Sequence, residues 1–416
     1  MKPDRLKILF LANRIPYPIR DGQARRTYHI LKGLGEAHEV HLLSMFETPE
    51  ETQPETWEHL RTFCHRVEMV PAPPKKPGIE MGLRLLRSLL STEPYTIWRH
   101  YSGTFASRVR ETLEETPFDA VHCDILPIAY AVRDLDKPFC AMTDHDVSYL
   151  KARRLASVRR NPAAKLFIRY EAAKLERLER TIFSHVDLGI AVSDADREQL
   201  ERLCPGRPFA VVENGVDVSA FVPDASAMEP DTLVWVGGLR DRSNYEAVRY
   251  FVHDVFPLIR RQHPRARLTI VGSGVPASLA SSIARESSIT VTGFVKDPVP
   301  FIQQATVFVA PIRSGSGTKL KVLEAMAAGK AIVATSVGVE GIEGRNGEHF
   351  QVADTAEDFA SRVVAILNDE GLRDRLGANA RRLAEAKYDW TTICGKMSKI
   401  YEDAAAGRVR ARAGVC

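Results

Sequence analysis

The chain has 416 residues, 44% of them hydrophobic and 26% charged, with 57 Lys and Arg against 53 Asp and Glu for a formal net charge of +4. That length accommodates two domains of about 150 to 200 residues, each able to bury its own core. So small a charge excess gives no reason to expect a nucleic-acid partner. Six cysteines, at positions 64, 123, 140, 204, 394 and 416, show no paired spacing. This argues against zinc and against a disulfide framework, and fits a reducing cytoplasm. Near the N-terminus only residues 8–12 are continuously apolar, too short a run for a signal peptide. No stretch approaches the roughly 18 apolar residues that span a bilayer, so any membrane contact is expected to be peripheral.

Residues 7–12 read as a first buried strand, followed by NRIPYPIRDGQARRTYHILKGL. The prolines forbid helix until Asp21-Gly22, after which 24–34 is helical with Tyr28, Leu31 and Leu34 inward. Residues 39–45 form a second strand, and the proline-rich 71–79 a break. Beyond it GIEMGLRLLRSLLS is an amphipathic helix, with Met81, Leu85, Leu86, Leu89 and Leu90 on one side and Arg84, Arg87 and Ser88 opposite. It suits an anionic lipid surface, the entrance of a binding site or plain packing on its domain. A second basic tract, 151–170, holds seven Lys and Arg and no acid. Such a block is drawn to phosphate-rich or membrane surfaces, or forms a solvated helix face.

Residues 118–123 and 139–142 are strands spaced as in parallel α/β units. The second empties into Thr143-Asp144-His145-Asp146, and ligands in open α/β sheets gather at such strand ends. His145 is therefore a binding candidate, with helix capping as the plain alternative; His122 and His185 read as structural. Residues 188–193 are a strand, with Ser193 or Asp194 capping a helix that runs through Leu203; 209–212 are another strand, and Glu213-Asn214-Gly215-Val216-Asp217 a turn. Residues 222–231 look like a linker.

The second half opens with a strand at 233–236 running into Gly237-Gly238-Leu239-Arg240 and a helix near Asn244, the pattern of a phosphate loop. Residues 267–272 and 289–293 are further strands. Gly272-Ser273-Gly274 is too short for a dinucleotide fingerprint, which weakens a dehydrogenase reading. The most informative stretch is 306–342, TVFVAPIRSGSGTKLKVLEAMAAGKAIVATSVGVEGI, read as strand, glycine-rich turn, helix, stop, strand. On the helix, 319–328, Gly317, Lys321, Glu324 and Ala328 share one stripe, while Leu320, Leu323 and Ala327 make an apolar one. A helix start plus Lys321 suits phosphate, and a carboxylate one turn deeper suits ribose hydroxyls. From the residues alone, an ordinary crossover with a solvated Lys–Glu pair is the commoner reading of such an element. The tail YDWTTICGKMSKIYEDAA is amphipathic, and no internal repeat is found.

The segment SGTKLKVLEAMAAGKAIVAT resembles the donor-binding signature of the group 1 glycosyltransferases. Glu324 matches the second of two glutamates in that signature, while Ser316 stands where the first is expected. The Asp21-Gly22 loop, the TDHD loop with His145, ENGVD, and VGGLRDRSNYEAVRYF resemble further family segments, so the likeness covers nearly the whole chain. The usual lysine after the glycine loop is absent, with Arg240 or Arg242 and Lys319 or Lys321 as substitutes.

The resemblance implies an α/β GT-B fold, two Rossmann-like domains with parallel sheets facing a central cleft. Residues 1–222 would be the acceptor side, with 388–408 packing back on it, and 223–387 the nucleotide-sugar side. It implies transfer, with retention, of a sugar from a nucleoside-diphosphate donor to a lipid-linked or polysaccharide acceptor. His145, Glu324 and Lys321 would be catalytic. Gly22, Gly237, Gly238, Arg240, Asn244, Gly293, Phe294, Val295, Ser316, Gly317, Thr318, Lys319 and Leu320 would hold the donor. No metal and no cofactor beyond the co-substrate are expected, since no DxD stands at a plausible metal position. Expected partners are the donor, the acceptor and, through 79–90 and 151–170, an anionic membrane, at the inner face of the plasma membrane. A sugar-nucleotide epimerase of the same fold, or a nucleotide-binding scaffold without chemistry, remains as an alternative.

Overall fold

The computed structural model describes residues 5–19, 21–73, 83, 87–157, 159, 161–315 and 317–408. The chain divides into two compact units, Met1–Glu213 with Trp390–Cys416, and Asn214–Asp389.

The first unit is built on seven strands: β1 (Lys7–Ala12), β2 (Glu39–Phe46), β3 (Arg66–Pro71), β4 (Ala120–Cys123), β5 (Phe139–Asp144), β6 (Leu188–Ala191) and β7 (Phe209–Val211). Their order is β3-β2-β1-β4-β5-β6-β7, every pair parallel. Parallel strands are joined by crossovers that cover both faces, so they read as unbroken apolar runs such as KILFLA. The period of two still shows in three dimensions: Leu9 and Leu11 enter the core on one face, Ile8, Phe10 and Ala12 that on the other.

The last helix, Trp390–Ala405, belongs to this unit and lies along the first, Gly22–Ala37. Gly33 makes the approach possible, because a Cβ there would collide with the Cys394 side chain. His29 stacks on Trp390 with ring centroids 4.7 Å apart, and His38 Nε2 meets Ser398 Oγ at 2.7 Å. In the first helix Arg26 and Thr27 are buried while Tyr28, expected inward, is half-buried.

The second unit has six parallel strands: β8 (Thr232–Val236), β9 (Arg267–Val271), β10 (Ile289–Gly293), β11 (Val307–Ala310), β12 (Ala331–Ala334) and β13 (Gln351–Val352). The order is β10-β9-β8-β11-β12-β13. Leu233, Trp235, Val307 and Val309 feed one core; Val234, Phe308 and Ala310 feed the other. In each sheet the winding reverses once, between β1 and β4 and between β8 and β11, the places where doubly wound sheets form ligand crevices.

The units separate at Glu213/Asn214 rather than after residue 222. The 214–222 segment is tied to the second unit: Val216 N donates to Tyr388 O at 2.7 Å, and Arg381 Nη1 donates to Val218 O and Phe221 O at 3.0 and 2.7 Å. The expected linker therefore starts inside a folded unit.

Of the amphipathic segment 79–90, only Leu83 and 87–90 lie among the described residues. Its expected polarity is inverted there. Ser88 is buried, donating to Glu171 Oε1 at 2.7 Å, while Leu83, Leu89 and Leu90 are exposed. The basic tract 151–170 is divided between two helices, Ser148–Ser157 and Pro162–His185. Among the described residues no helix is long and apolar enough to cross a membrane.

Candidate functional site

The second unit's site begins where β8 ends. Gly237 turns the chain at φ 153°, and its N–H donates to Val271 O at 2.9 Å. Gly272, at φ 154°, comes so close that a Cβ on it would strike the Gly237 carbonyl oxygen. Both positions need glycine for conformation and for space. Asp241 then caps the helix Arg242–Tyr250, accepting the Asn244 N–H at 2.9 Å. The Asn244 side chain donates from Nδ2 to Gly238 O at 2.9 Å. Its Oδ1 consequently faces outward as an acceptor, and Lys321 Nζ donates to it at 2.7 Å.

Lys321 arrives from the neighbouring βα unit, on the helix Leu320–Ala327 that follows β11. Its ammonium lies 3.8 Å from the centre of the Trp235 ring, a cation–π contact. A Cβ on Gly237 would come within 2.5 Å of the same nitrogen. The cation is thus fixed at the reversal point of the sheet by strand, loop and helix together. Its pKa is pulled from the ordinary 10.5 down to about 7, mainly by burial, with Asp241 opposing and Lys319 reinforcing the shift.

Around this cation the carboxyl edge of the sheet is rich in backbone. Gly315 and Gly317 have φ of 115° and 69°, and Lys319 Nζ donates back to Gly317 O at 2.6 Å. Thr318 is buried, its hydroxyl without a protein partner among the described residues. No side chain caps the start of the helix Leu320–Ala327. One turn in, Glu324 is buried on the stripe it shares with Lys321. Leu320 packs into the core beneath. At the end of β10, Gly293 bridges to Gly272, Phe294 is 82% exposed and Val295 packs inward. Ser316 lies outside the described residues. Of the residues proposed to replace the missing lysine, Lys321 occupies the site, Arg240 is exposed beside Gly274, and Arg242 is engaged by Glu246 at 2.8 Å on the surface.

In the first unit His145 follows β5, and its Nε2 lies 3.1 Å from Asp124 Oδ1 at the end of β4. Thr27, on the first helix, donates to Asp124 Oδ2 at 2.7 Å. Burial acts to raise the Asp124 pKa, but His145, His122 and Thr27 outweigh it and hold the carboxyl below its ordinary range. The imidazole is therefore oriented by a buried carboxylate. Below this loop Glu179 is buried and accepts the Ser148 N–H at 2.6 Å. It and Asp144 are both pushed above the ordinary carboxyl range, chiefly by burial; for Asp144 the proximity of Glu179 adds to it. Gly22 is the exposed first residue of its helix, beside the capping Asp21, and is not among the glycines of positive φ.

His122 is buried, stacked on Phe10 at 4.4 Å and 2.5 Å from Tyr401 Oη, and burial lowers its pKa to about 4. His185 is half-buried, with Nδ1 2.7 Å from Thr181 O. Trp235, Asp124, Thr27 and Glu179 were not singled out from the sequence. Asp124 alone had a usable signal, standing directly after a strand in FDAVHCD.

Two doubly wound parallel sheets, each with polar groups and glycines gathered at strand ends, define a two-domain α/β class. The Glycosyltransferase Family 4 model matches residues 20–220, and the model described as Glycosyl transferases group 1 matches residues 230–369. The chain belongs to the group 1 glycosyltransferases of the GT-B fold. It is 30% identical over 230 residues to phosphatidyl-myo-inositol mannosyltransferase of Mycobacterium tuberculosis (strain ATCC 25618 / H37Rv), a stretch covering 52% of this chain and 59% of that protein. Among solved structures, sucrose-phosphate synthase from Thermosynechococcus elongatus superposes with a TM-score of 0.73 at 18% identity, covering 97% of this chain and 100% of that one. Anabaena HepE in complex with UDP-glucose gives 0.66 at 15% identity, covering 95% and 99%.

Proposed function

We propose that the protein transfers a sugar from a nucleoside-diphosphate sugar to a lipid-linked or polysaccharide acceptor, with retention of anomeric configuration. The observation that carries this reading is the Lys321 ammonium, held by Asn244 and Trp235 at the reversal point of the second sheet. The diphosphate lies against Lys321, the glycine turn at 237–238 and the uncapped start of the helix Leu320–Ala327. Glu324, one turn deeper, accepts the ribose hydroxyls. Gly293, Phe294 and Val295 border the base, and Arg240, Gly317, Thr318, Lys319 and Leu320 complete the donor contacts.

The barrier lies in breaking the anomeric C–O bond while negative charge gathers on the leaving diphosphate. A preformed cation and backbone dipoles stabilise that charge without a metal, and removal of one such donor costs about 2.7 to 4 kcal/mol of barrier. The departing phosphate takes the acceptor proton, so no separate base is needed. His145, steadied by Asp124, contacts the transferred sugar or pyrophosphate. The mannosyltransferase and UDP-glucose names carried by similar proteins support a sugar-nucleotide donor. The exposed Leu83, Leu89, Leu90 and Leu166 support peripheral contact with an anionic membrane on the cytoplasmic side.

The test is to incubate the protein with α-linked nucleoside-diphosphate sugars, with and without glycan and lipid-linked acceptors, following products by NMR. An α-linked product formed only with acceptor supports the proposal. A β-linked product removes retention, and an epimerised sugar from donor alone establishes the epimerase instead.

A further inference from the structure

Among the described residues one set of three His, Cys, Asp or Glu side chains converges closely enough to hold an ion: Glu39, His41 and His65, whose ligand atoms all lie within 4.8 Å of one another. Glu39 Oε1 is 3.4 Å from His41 Nε2 and 3.7 Å from His65 Nε2. A tetrahedral ion with bonds of about 2.0 to 2.2 Å sets its ligands about 3.3 to 3.6 Å apart. The fold builds this convergence from the backbone. Glu39 and His41, two apart on β2, share a face. His65 stands just before β3, its N–H donating to Val40 O at 2.8 Å. The two imidazoles lie nearly parallel, 5.3 Å apart, and the edge of Phe118 braces His41 at 5.1 Å.

A second observation is independent of the spacing. His41 is only 7% exposed, its Nδ1 has no hydrogen-bond partner among the described residues, and its Nε2 faces the Glu39 carboxylate at 3.4 Å. Buried polar nitrogens rarely stay unsatisfied, and one that faces a carboxylate and a second imidazole has the surroundings of a ligand. Arg66, the residue after His65, is engaged by Glu68 at 2.7 Å.

We propose that Glu39, His41 and His65 bind a divalent transition-metal ion, zinc above all, through one carboxylate oxygen and two imidazole nitrogens. A set of two nitrogens and one oxygen suits zinc and its neighbours better than magnesium or calcium. The His65 side chain is 63% exposed, so the ion enters from solvent and keeps water as its remaining ligand. The site is distinct from the donor chemistry. It lies at the amino end of β2, whose eight residues put it about 23 Å from the carboxyl edge. There it clips β2 to the edge strand β3. The scattered cysteines, which argue against a thiolate zinc site, have no bearing on a site made of imidazole and carboxylate.

The experiment titrates Zn2+ alone, and Co2+ alone, into the metal-stripped full chain, with His65→Gln and Glu39→Gln in parallel. One equivalent is expected to bind with micromolar or tighter affinity, to give the intense visible absorption of tetrahedral Co2+, and to raise the thermal midpoint by several degrees. Each variant should keep the circular dichroism of the metal-free chain and bind at least about tenfold more weakly. His65 is exposed, so its replacement leaves the fold intact and the result readable. Absence of saturable one-equivalent binding overturns the proposal. So does equal affinity in wild type and both variants, which would put the ion elsewhere.

Discussion

Lys321 is charged in surroundings that hold the charge reluctantly, and the diphosphate proposed for it would relieve that tension. Its pKa of about 7 means that the ligand-free protein loses the cation as pH rises through neutrality. The cation is complete below that value, so kcat/KM should be level at acid pH and fall by about tenfold per unit above pH 7. Lys321→Arg should abolish this decline, because guanidinium stays protonated. Lys321→Ala should lower kcat/KM by about 100- to 1000-fold at pH 6.5. A flat profile in the wild type would refute the assigned role.

The same residue shows what the sequence made legible. Its place on a stripe with Glu324 followed from helical spacing alone. Its cage did not, because Asn244 and Trp235 belong to another βα unit about 80 residues earlier, and only the strand order β8-β11 brings them together. His145 was legible as a strand-end residue. Its partner Asp124 needed the pairing of β4 with β5.

At the scale of elements, the sites depend on backbones brought close together. Gly272→Ala would force a Cβ against the Gly237 carbonyl at a positive φ. It should destabilise the second unit by about 1 to 3 kcal/mol in denaturant unfolding, and more if β8 and β9 separate. Under the His145 loop, Glu179 fastens the start of the helix Ser148–Ser157 through the Ser148 N–H. Its raised pKa means that the folded chain keeps a proton that the unfolded chain releases. This contribution is whole at pH below the ordinary carboxyl range and is lost as pH rises through the folded-state pKa. Glu179→Gln keeps the acceptor oxygen and removes the titration. The variant should match the wild type near pH 4.5 and exceed its stability at pH 9 by at least about 1.4 kcal/mol, the equivalent of one pKa unit.

Elements themselves were mostly readable from composition. The helix expected at 319–328 is Leu320–Ala327, and β12 spans Ala331–Ala334 as the apolar run indicates. The reading failed where tertiary polar contacts outrank amphipathic spacing. Ser88 is drawn inward by Glu171 and Lys174, so the neighbouring leucines turn to solvent. The same priority moved the unit boundary, since Arg381 binds the carbonyls of Val218 and Phe221, just ahead of the expected linker.

At the scale of the whole molecule, the two matched family models and the two sheets describe one kind of machine, and its surface carries a further expectation. The exposed Leu89 and Leu90 should contribute to binding vesicles rich in anionic lipid, so Leu89→Asp with Leu90→Asp should reduce co-sedimentation several-fold. Unchanged sedimentation would remove that surface from the membrane reading.

The central claim is that a nucleoside diphosphate rests on Lys321 and Glu324 in the second unit. Calorimetric titration of UDP, GDP and ADP into the full-length wild type, Lys321→Ala and Glu324→Ala tests it most directly. The account predicts saturable binding of at least one of the three nucleotides to the wild type, weakened at least about tenfold in each variant. Failure of all three to bind the wild type, or binding that neither substitution disturbs, would contradict it.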